Sequence, residues 1–474
     1  MKRLLISILF VMLMVGSGLA EDIYISQTAQ GADNGSSCAN SHAASWFNTA
    51  GNWGGGAGEI DPGDTVYLCD DGGNFTTMLA FPASGSSGNI VTITVPETET
   101  VVMDGADTTE CINWGAQNYI IVDGNSRLTL QNCDANEGYA VLMNGDYGIF
   151  SNSTIIHPVT RAITVGPAAT FTTISGNYID TLANDTANEN DAVTFNAGGS
   201  GGSIDYVFDN IIWNRKTGGT YIDAIHAYGG YAGTIYIYRN FVRNDSATTT
   251  GSIDLQFASG NAGMTAYIFN NIFYNGPDTY NCTNVILNYP DTATAYFYNN
   301  TVITLSAGGG SGAIYITAAP NATTFRNNIF YSASDILMFN NTATPITPSL
   351  LDYNLWYRAD EGNLAVVQVG NQRAWDWLIA NEYEPHGVND NPDFNSLGNL
   401  FFYLISGSPA INVGVDLGDT YTNGINPNSS WPDSINTLNQ DDFGTGWEMG
   451  AYVYKFGAAG LLMASPNNFI LMEY

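Results

Sequence analysis

Apolar and polar positions follow a short pattern that returns at regular intervals along this chain. A typical copy is ISGNYI around Asn177, in which an apolar, a polar and any third residue precede an asparagine and two apolar residues. Successive copies lie 26 to 33 residues apart. Their asparagines are Asn177, Asn210, Asn240, Asn271, Asn300, Asn328 and Asn354. A repeat of this length predicts a solenoid of stacked units.

A second series of apolar positions runs between these copies, in steps of 22 to 33 residues. Its members are Ile112, Val141, Ile163, Val193, Ile225, Ile253, Ile286 and Ile314. The runs between are short, rich in β-branched and aromatic residues and bounded by Gly, Asn and Asp, which is typical of strands. We therefore predict an all-β fold, a single-stranded parallel β-helix in which each coil buries its apolar side against the next.

The recurring asparagine predicts an internal ladder of side-chain amides that hydrogen-bond along the stack. Fainter copies of the pattern occur upstream, at Asn125 and Asn152. Asn275 lies outside the pattern, so we expect it to tolerate replacement by leucine, whereas Asn271 should not. This role is structural, because function is carried by sites grafted onto a scaffold.

The two ends differ from the repeats. Lys2 and Arg3, an apolar run to Val15 and small residues up to Ala20 predict a signal peptide, and no run is long enough to span a membrane. We therefore expect an exported protein, secreted or on the cell surface. The predicted divisions are a signal peptide at 1–20, a cap and first coil at 21–105, repeats at 106–357, a closing module at 358–454 and an apolar tail at 455–474.

Charge narrows the range of partners. The chain has 12 Lys and Arg against 44 Asp and Glu, a formal net charge of -32. Such a surface repels polyanions, which argues against nucleic acid as a partner. It also argues against uronate polymers as partners unless cations bridge them to the protein. The charge also serves solubility.

Five cysteines are present in a chain that we expect to be exported. Cys38–Cys69 and Cys111–Cys133 are plausible disulfides, and Cys282 is then a buried small residue. No cysteine and histidine spacing predicts a zinc site.

Both ends resemble a known architecture. DIYIS, IDPGDTVYLCDDGGNF and GNIVTITV resemble the start of secreted bacterial right-handed parallel β-helix proteins of the pectin-lyase-like superfamily. LFFYLISGSPAINVG and WEMGAYVY, which ends at Tyr454, resemble the closing module of choice-of-anchor Q β-helix proteins. The resemblance implies a right-handed β-helix with an amino-terminal cap and a carboxy-terminal closing module. The catalytic motifs of pectate lyases and polygalacturonases are missing, so it implies no activity.

One row of side chains should point outward from the second series, because neighbouring residues of a strand face opposite ways. The row is Asn113, Leu142, Thr164, Thr194, His226, Asp254, Leu287 and Tyr315. It places His226 beside Asp254 on the next coil. A carboxylate next to an imidazole orients the ring and raises its pKa, which suits acid–base catalysis. The alternative is an exposed pair without a role.

A second row, two residues earlier, places Arg161, Asp191 and Asp223 on successive coils. Adjacent carboxylates raise the pKa of one of them, and a separation near 5 Å suits a retaining glycosidase. The same two aspartates could bind Ca²⁺ or cap turn amides without further function.

The remaining candidates are basic and aromatic. A polysaccharide lyase needs a base and a positive group near a uronate. Lys216, next to Arg215 in a loop, could share these two tasks with Arg161 and His226. Tyr228 and Tyr315 could stack on sugar rings or simply on neighbouring coils. We therefore expect a protein that binds or cleaves a polysaccharide or cell-surface glycan, as a lyase or a glycoside hydrolase. The alternative is a non-catalytic surface or adhesion protein.

Overall fold

The chain winds into a right-handed parallel β-helix of about 8 turns, as the repeat predicts. The computed structural model describes residues 20–133, 138–158, 160–182, 191–196, 202–215, 223–228, 231–245, 251–256, 264–277, 283–288, 293–305, 312–318, 323–429 and 434–455. The predicted signal peptide up to residue 19, Lys216, Cys282 and the tail beyond Lys455 lie outside these residues.

Helices are few and strands are short. Among the described residues the α-helices are α1 (Ala44–Phe47) and α2 (Trp375–Ala380). The strands are β1 (Asp22–Ser26), β2 (His42–Ala43), β3 (Thr65–Leu68), β4 (Leu79–Ala80), β5 (Val91–Thr94), β6 (Val101–Asp104), β7 (Ile112–Asn113), β8 (Ile120–Gln131), β9 (Tyr139–Met143), β10 (Ile149–Ile156), β11 (Arg161–Val165), β12 (Thr173–Ser175), β13 (Tyr178–Asp180), β14 (Val193–Phe195), β15 (Ile204–Phe208), β16 (Ile211–Asn214), β17 (Ile225–Ala227), β18 (Thr234–Tyr238), β19 (Phe241–Asn244), β20 (Gly251–Gln256), β21 (Thr265–Phe269), β22 (Ile272–Asn275), β23 (Thr283–Asn288), β24 (Thr294–Tyr298), β25 (Thr301–Thr304), β26 (Ile314–Ala318), β27 (Thr323–Arg326), β28 (Ile329–Ser332), β29 (Met338–Asn340), β30 (Leu351–Asp352), β31 (Leu355–Arg358), β32 (Ala365–Gln368), β33 (Asn371–Arg373), β34 (Phe394–Ser396), β35 (Phe401–Leu404), β36 (Asn423–Ile425) and β37 (Thr437–Asn439).

Three walls of parallel strands enclose one apolar core. Wall 1 contains β1, β3, β5, β12, β15, β18, β21, β24, β27 and β30, and wall 2 contains β6, β13, β16, β19, β22, β25, β28 and β31. The long strands β8 and β10 run through the corner between these two walls. Wall 3 contains β4, β7, β9, β11, β14, β17, β20, β23, β26, β29 and β32.

The corner from wall 1 to wall 2 is a sharp bend repeated in each coil. The residue before each ladder asparagine has a φ of 52° to 59° from the coil of β15 onward, in Asp209, Arg239, Asn270, Asn299, Asn327 and Tyr353. Asn and Asp tolerate this left-handed conformation, but Arg and Tyr adopt it at a cost in strain. The stacked coils therefore fix the bend even where the local residue disfavours it.

The ladder of asparagines is confirmed. Each side-chain amide from Asn177 to Asn328 donates to the Oδ1 of the next asparagine at 2.8–3.2 Å, and each asparagine is almost fully buried. The fainter upstream copies do not join the ladder. Ser153 rather than Asn152 lies in register with Asn177, and Asn152 donates to Asp123 instead.

The amino-terminal end carries the short helix α1 and both predicted disulfides. Cys38 is bonded to Cys69 and Cys111 to Cys133. The helix residue Phe47 packs edge-on against the rings of Trp53 and Phe81 and lies at one end of the core.

The described residues from 394 to 454 lie along the outer face of wall 2, whereas 375–384 lie at the end of the core, where Leu378 and Tyr383 join it. Phe402 of β35 packs on Tyr274 at 5.3 Å and on Phe241 at 6.1 Å between ring centroids. Asn327 at the wall corner exchanges hydrogen bonds with Val415. Within the described residues no helix is long and apolar enough to cross a membrane.

Candidate functional site

The middle coils of wall 3 bring the predicted polar residues into one row. His226 pairs in register with Thr194 on the coil before and with Asp254 on the coil after. The predicted row slips at β23, where Val285 rather than Ile286 continues the inward register. Ile286 therefore stands between Asp254 and Tyr315, and the expected Leu287 points into the core.

The expected exposure of this row is wrong. Thr164 and Thr194 are 0% exposed, His226 is 2% exposed and Asp254 is 4% exposed. Alternation along a strand tells which way a side chain points, but it does not tell whether that face is covered. Only the residues near the two ends of the row are half-buried. Charged groups at its centre therefore sit in an environment of low dielectric constant.

Asp191 and Asp223 occupy the turns before β14 and β17 and are also buried. Asp191 accepts hydrogen bonds from the backbone N–H of Asp223 at 3.1 Å and from the Thr194 hydroxyl at 3.2 Å. Asp223 accepts a hydrogen bond from the backbone N–H of Gly251 at 2.7 Å. Each carboxylate thus caps the turn of the following coil, as one of the alternatives from the sequence expected.

His226 joins both carboxylates. Its Nδ1 lies 3.1 Å from Asp191 Oδ2 and 3.6 Å from Asp223 Oδ2. Burial by itself lowers the pKa of His226, but the hydrogen bond to Asp191 and the charges of Asp191, Asp223 and Asp254 raise that pKa to about 9. The imidazole therefore carries a proton at neutral pH.

The pKa of Asp223 is raised for a different reason. Burial raises its pKa well above the ordinary value, and the neighbouring charges of Asp254 and Asp191 raise it further. His226 and the Gly251 N–H act in the opposite direction without restoring the ordinary value. The raised pKa values of Asp223 and His226 thus favour the protonated form of each group relative to a dissolved aspartate and histidine.

Asp191, Asp223 and His226 could together hold a metal ion, since one ligand atom from each lies within 4.8 Å of the others. Calcium prefers six to eight oxygen ligands, and this set offers two carboxylates and a ring nitrogen. The His226 proton also lies where the two carboxylates meet. The cluster therefore fits a shared proton better than the Ca²⁺ that we considered for Asp191 and Asp223.

Arg161 and Tyr228 extend the cluster on one side. Tyr228 stacks on His226 with 3.9 Å between ring centroids, and Arg161 Nη2 lies 3.4 Å from the Tyr228 hydroxyl. Tyr315 lies apart, two coils beyond Asp254, where it stacks on Phe339 and accepts a hydrogen bond from Asn341.

Lys216 cannot be placed, because it lies outside the described residues. Arg215, its neighbour in the sequence, is bound to Asp180 and stacks on Trp213 of wall 2. Arg215, the described member of this basic pair, therefore packs against wall 2 and not against the His226 cluster.

Two polar groups of the row have hydrogen-bonding capacity that the sequence does not reveal. Among the described residues, the Thr164 hydroxyl and His226 Nε2 are buried without a hydrogen-bond partner. Both residues belong to the predicted outward row, but periodicity does not tell whether a side-chain polar atom finds a partner. A buried polar atom without a partner is uncommon and leaves hydrogen-bonding capacity for a ligand.

No protein-family model matches the chain, and no curated protein matches it. Among solved structures it is similar to the pectate lyase Pel9A, with 12% identity over 93% of this chain and 97% of that chain and a TM-score of 0.51. It is also similar to XylC in complex with xylose, with 10% identity over 74% of this chain and 86% of that chain and a TM-score of 0.45. A further similar structure is PfbA, a surface adhesin of Streptococcus pneumoniae, with 10% identity over 59% of this chain and 83% of that chain and a TM-score of 0.28. The similarity to Pel9A supports the fold alone.

Proposed function

We propose that this protein is an exported carbohydrate-active β-helix that cleaves a polysaccharide at the wall 3 cluster. The observation that carries this proposal is the gathering of Asp191, Asp223, His226 and Asp254 over three consecutive coils, with the pKa of Asp223 and of His226 raised. Acid–base catalysts have pKa values shifted toward the working pH, and clusters of this kind mark catalytic sites.

Glycoside hydrolysis fits the described residues better than elimination does. The raised pKa of Asp223 suits a proton donor to the leaving oxygen, and Asp254 on the next coil offers the second carboxylate. Carboxylates on adjacent coils correspond to the short separation of retaining enzymes. A lyase would rely on Arg161 and Lys216 to neutralise a uronate, which the net charge of -32 disfavours.

The test is turnover of the secreted protein on a panel of polysaccharides, measured by new reducing ends and by the ultraviolet absorbance of unsaturated products. Asp223→Asn and His226→Ala should each lower kcat by at least ~10²-fold, the usual contribution of a general acid or base. Asp205→Asn is the matched control, since Asp205 is equally buried but hydrogen-bonds to Thr172 and Tyr231 elsewhere. Folding is checked by the melting temperature of each variant.

One observation favours the alternative, a non-catalytic surface or adhesion protein. Asp191 and Asp223 both cap turn amides and are almost completely buried, which a structural role alone explains. Absence of turnover on the whole panel would support this alternative. Full activity in a folded Asp223→Asn protein would show that catalysis takes place outside this cluster.

A further inference from the structure

A recess of about 670 Å³ opens at the corner of walls 1 and 2, away from the wall 3 cluster. Its floor belongs to the coils of β8, β10, β12, β13 and β15, and Ser434 and Ile435 close one side. The volume lies within the range of about 300–1,000 Å³ typical of ligand pockets. The recess is therefore large enough for a small molecule or for part of a chain molecule.

The recess exists because an aromatic column begins abruptly. One outward column of wall 1 consists, coil by coil, of Asp123, Ser151, Ser175, Phe208, Tyr238 and Phe269. From Phe208 onward the rings stack at 4.8–4.9 Å with interplanar angles of 8° or less. Stacking uses both faces of an inner ring, but Phe208 is the first ring and its other face is turned toward the small Ser175.

Most of the remaining lining is polar and uncharged, and its one described charged residue is Asp209. Asn152, Ser153 and Thr154 contribute amide and hydroxyl groups, and Tyr178 adds a phenol. Burial raises the pKa of Tyr178 to about 12, so its hydroxyl keeps its proton. No lysine or arginine belongs to the described lining. The nearby Arg239 is held by Asp209 through bonds of 2.7 and 2.8 Å, which compensates its charge.

We propose that this recess binds a neutral sugar unit of a glycan, with the free face of Phe208 as the platform for the pyranose ring. A pyranose presents one apolar face and a rim of hydroxyls, which match the ring of Phe208 and the surrounding Ser, Thr and Asn groups. The absence of cationic lining residues and the net charge of -32 disfavour an anionic sugar. This binding does not depend on catalysis at wall 3.

The test is calorimetric titration of the full exported chain with xylotetraose, cellotetraose and mannotetraose, and with tetragalacturonate as the anionic comparison. Ser175→Phe should extend the column by one ring and fill the recess without lowering the melting temperature. We expect the wild type to bind at least one neutral tetrasaccharide, and this variant to bind it at least about tenfold more weakly.

A second pair of variants separates the platform from general stability. Phe208→Ser removes the platform and should also weaken binding. Tyr267→Ser removes a ring from the neighbouring column, where Tyr267 stacks between Tyr236 and Tyr296, and should leave binding unchanged. Failure of the wild type to bind any neutral tetrasaccharide, preference for tetragalacturonate, or unchanged binding by Ser175→Phe would each overturn the proposal. Because binding and turnover are measured separately, an inactive wall 3 would leave this result intact.

Discussion

The last amide of the ladder ends on a single carboxyl group. Glu384 accepts hydrogen bonds from the backbone N–H and the side chain of Asn354 and from the indole of Trp356. It therefore takes the place of the asparagine that a further coil would have supplied. Its burial is complete. Glu384 lies 30 residues after Asn354, which is a normal repeat spacing, but it is not an asparagine and its flanking residues lack the apolar pattern, so the repeat does not reveal it.

Glu384 should make the protein less stable as pH rises. Burial outweighs the three donated hydrogen bonds and raises the pKa of Glu384 from 4.5 to about 8. Between these values the folded protein keeps a proton that the unfolded chain loses. The free energy of unfolding therefore falls as pH rises, by up to about 1.4 kcal/mol per pH unit, and the fall ends above about pH 8. Glu384→Gln cannot titrate and should reduce this slope in urea unfolding from about pH 5 to about pH 8.

Two variants serve as comparisons for Glu384. Glu448 is buried too, and burial likewise raises its pKa to about 8, so the double variant with Glu448→Gln should show the smallest slope. Glu382 is exposed, and Glu382→Gln should leave the slope as in the wild type. Parallel pH profiles for the wild type and Glu384→Gln would show that Glu384 is ionised in the folded state.

At the scale of the strand and coil, wall 2 carries a second buried polar row that the repeat pattern does not reveal. Its members lie in register and are fully buried: Asn214, Asn244, Asn275, Thr304 and Ser332. The expected tolerance of Asn275 is therefore wrong. A pattern that marks one asparagine per coil does not report a polar residue four positions later at the end of the same strand.

Asn271→Leu should destabilise the coil stack strongly. Asn271 donates to Asn300 and to the carbonyls of Ile237 and Phe269, and its Oδ1 accepts from the backbone and side chain of Asn240. Leaving such groups unsatisfied in the core costs about 1–3 kcal/mol each, so we expect a loss of at least about 3 kcal/mol in denaturant unfolding. Asn395→Leu, at an exposed position of β34, is the control and should lose little. Equal losses in the two variants would contradict the ladder's role.

The sequence predicted the coils more reliably than it predicted the site. The second series of apolar positions predicts the register of wall 3, and it correctly placed His226 beside Asp254. The predicted register was wrong at β23. Because Val285, Ile286 and Leu287 are all apolar, the sequence fits either alternation of inward and outward residues. The contact between Asp191 and His226 depends on the direction of a turn side chain, which periodicity does not determine.

Across the whole molecule, the outer surfaces of the three walls carry different features. Segments of the last hundred residues cover wall 2, aromatic columns line wall 1 and the acid–base cluster lies in wall 3. The first part of the predicted closing module lies at the end of the helix, where Leu378 and Tyr383 join the core and Glu384 ends the ladder. The later part lies along the side, because the outward faces of β16, β19, β22 and β25 carry apolar residues that it buries. The predicted domain limits themselves stay predictions.

The excess of negative charge should make stability depend on ionic strength. With a net charge of -32, repulsion among carboxylates opposes the compact state, so moderate salt should raise the melting temperature relative to dilute buffer. Calcium and magnesium at matched ionic strength should stabilise equally, because the His226 proton already occupies the place between Asp191 and Asp223. A much larger effect of Ca²⁺ that disappears in Asp191→Asn would instead show that calcium displaces this proton. The acid–base roles proposed for the cluster would then have to be replaced by metal binding, since both cannot use the same carboxylate oxygens.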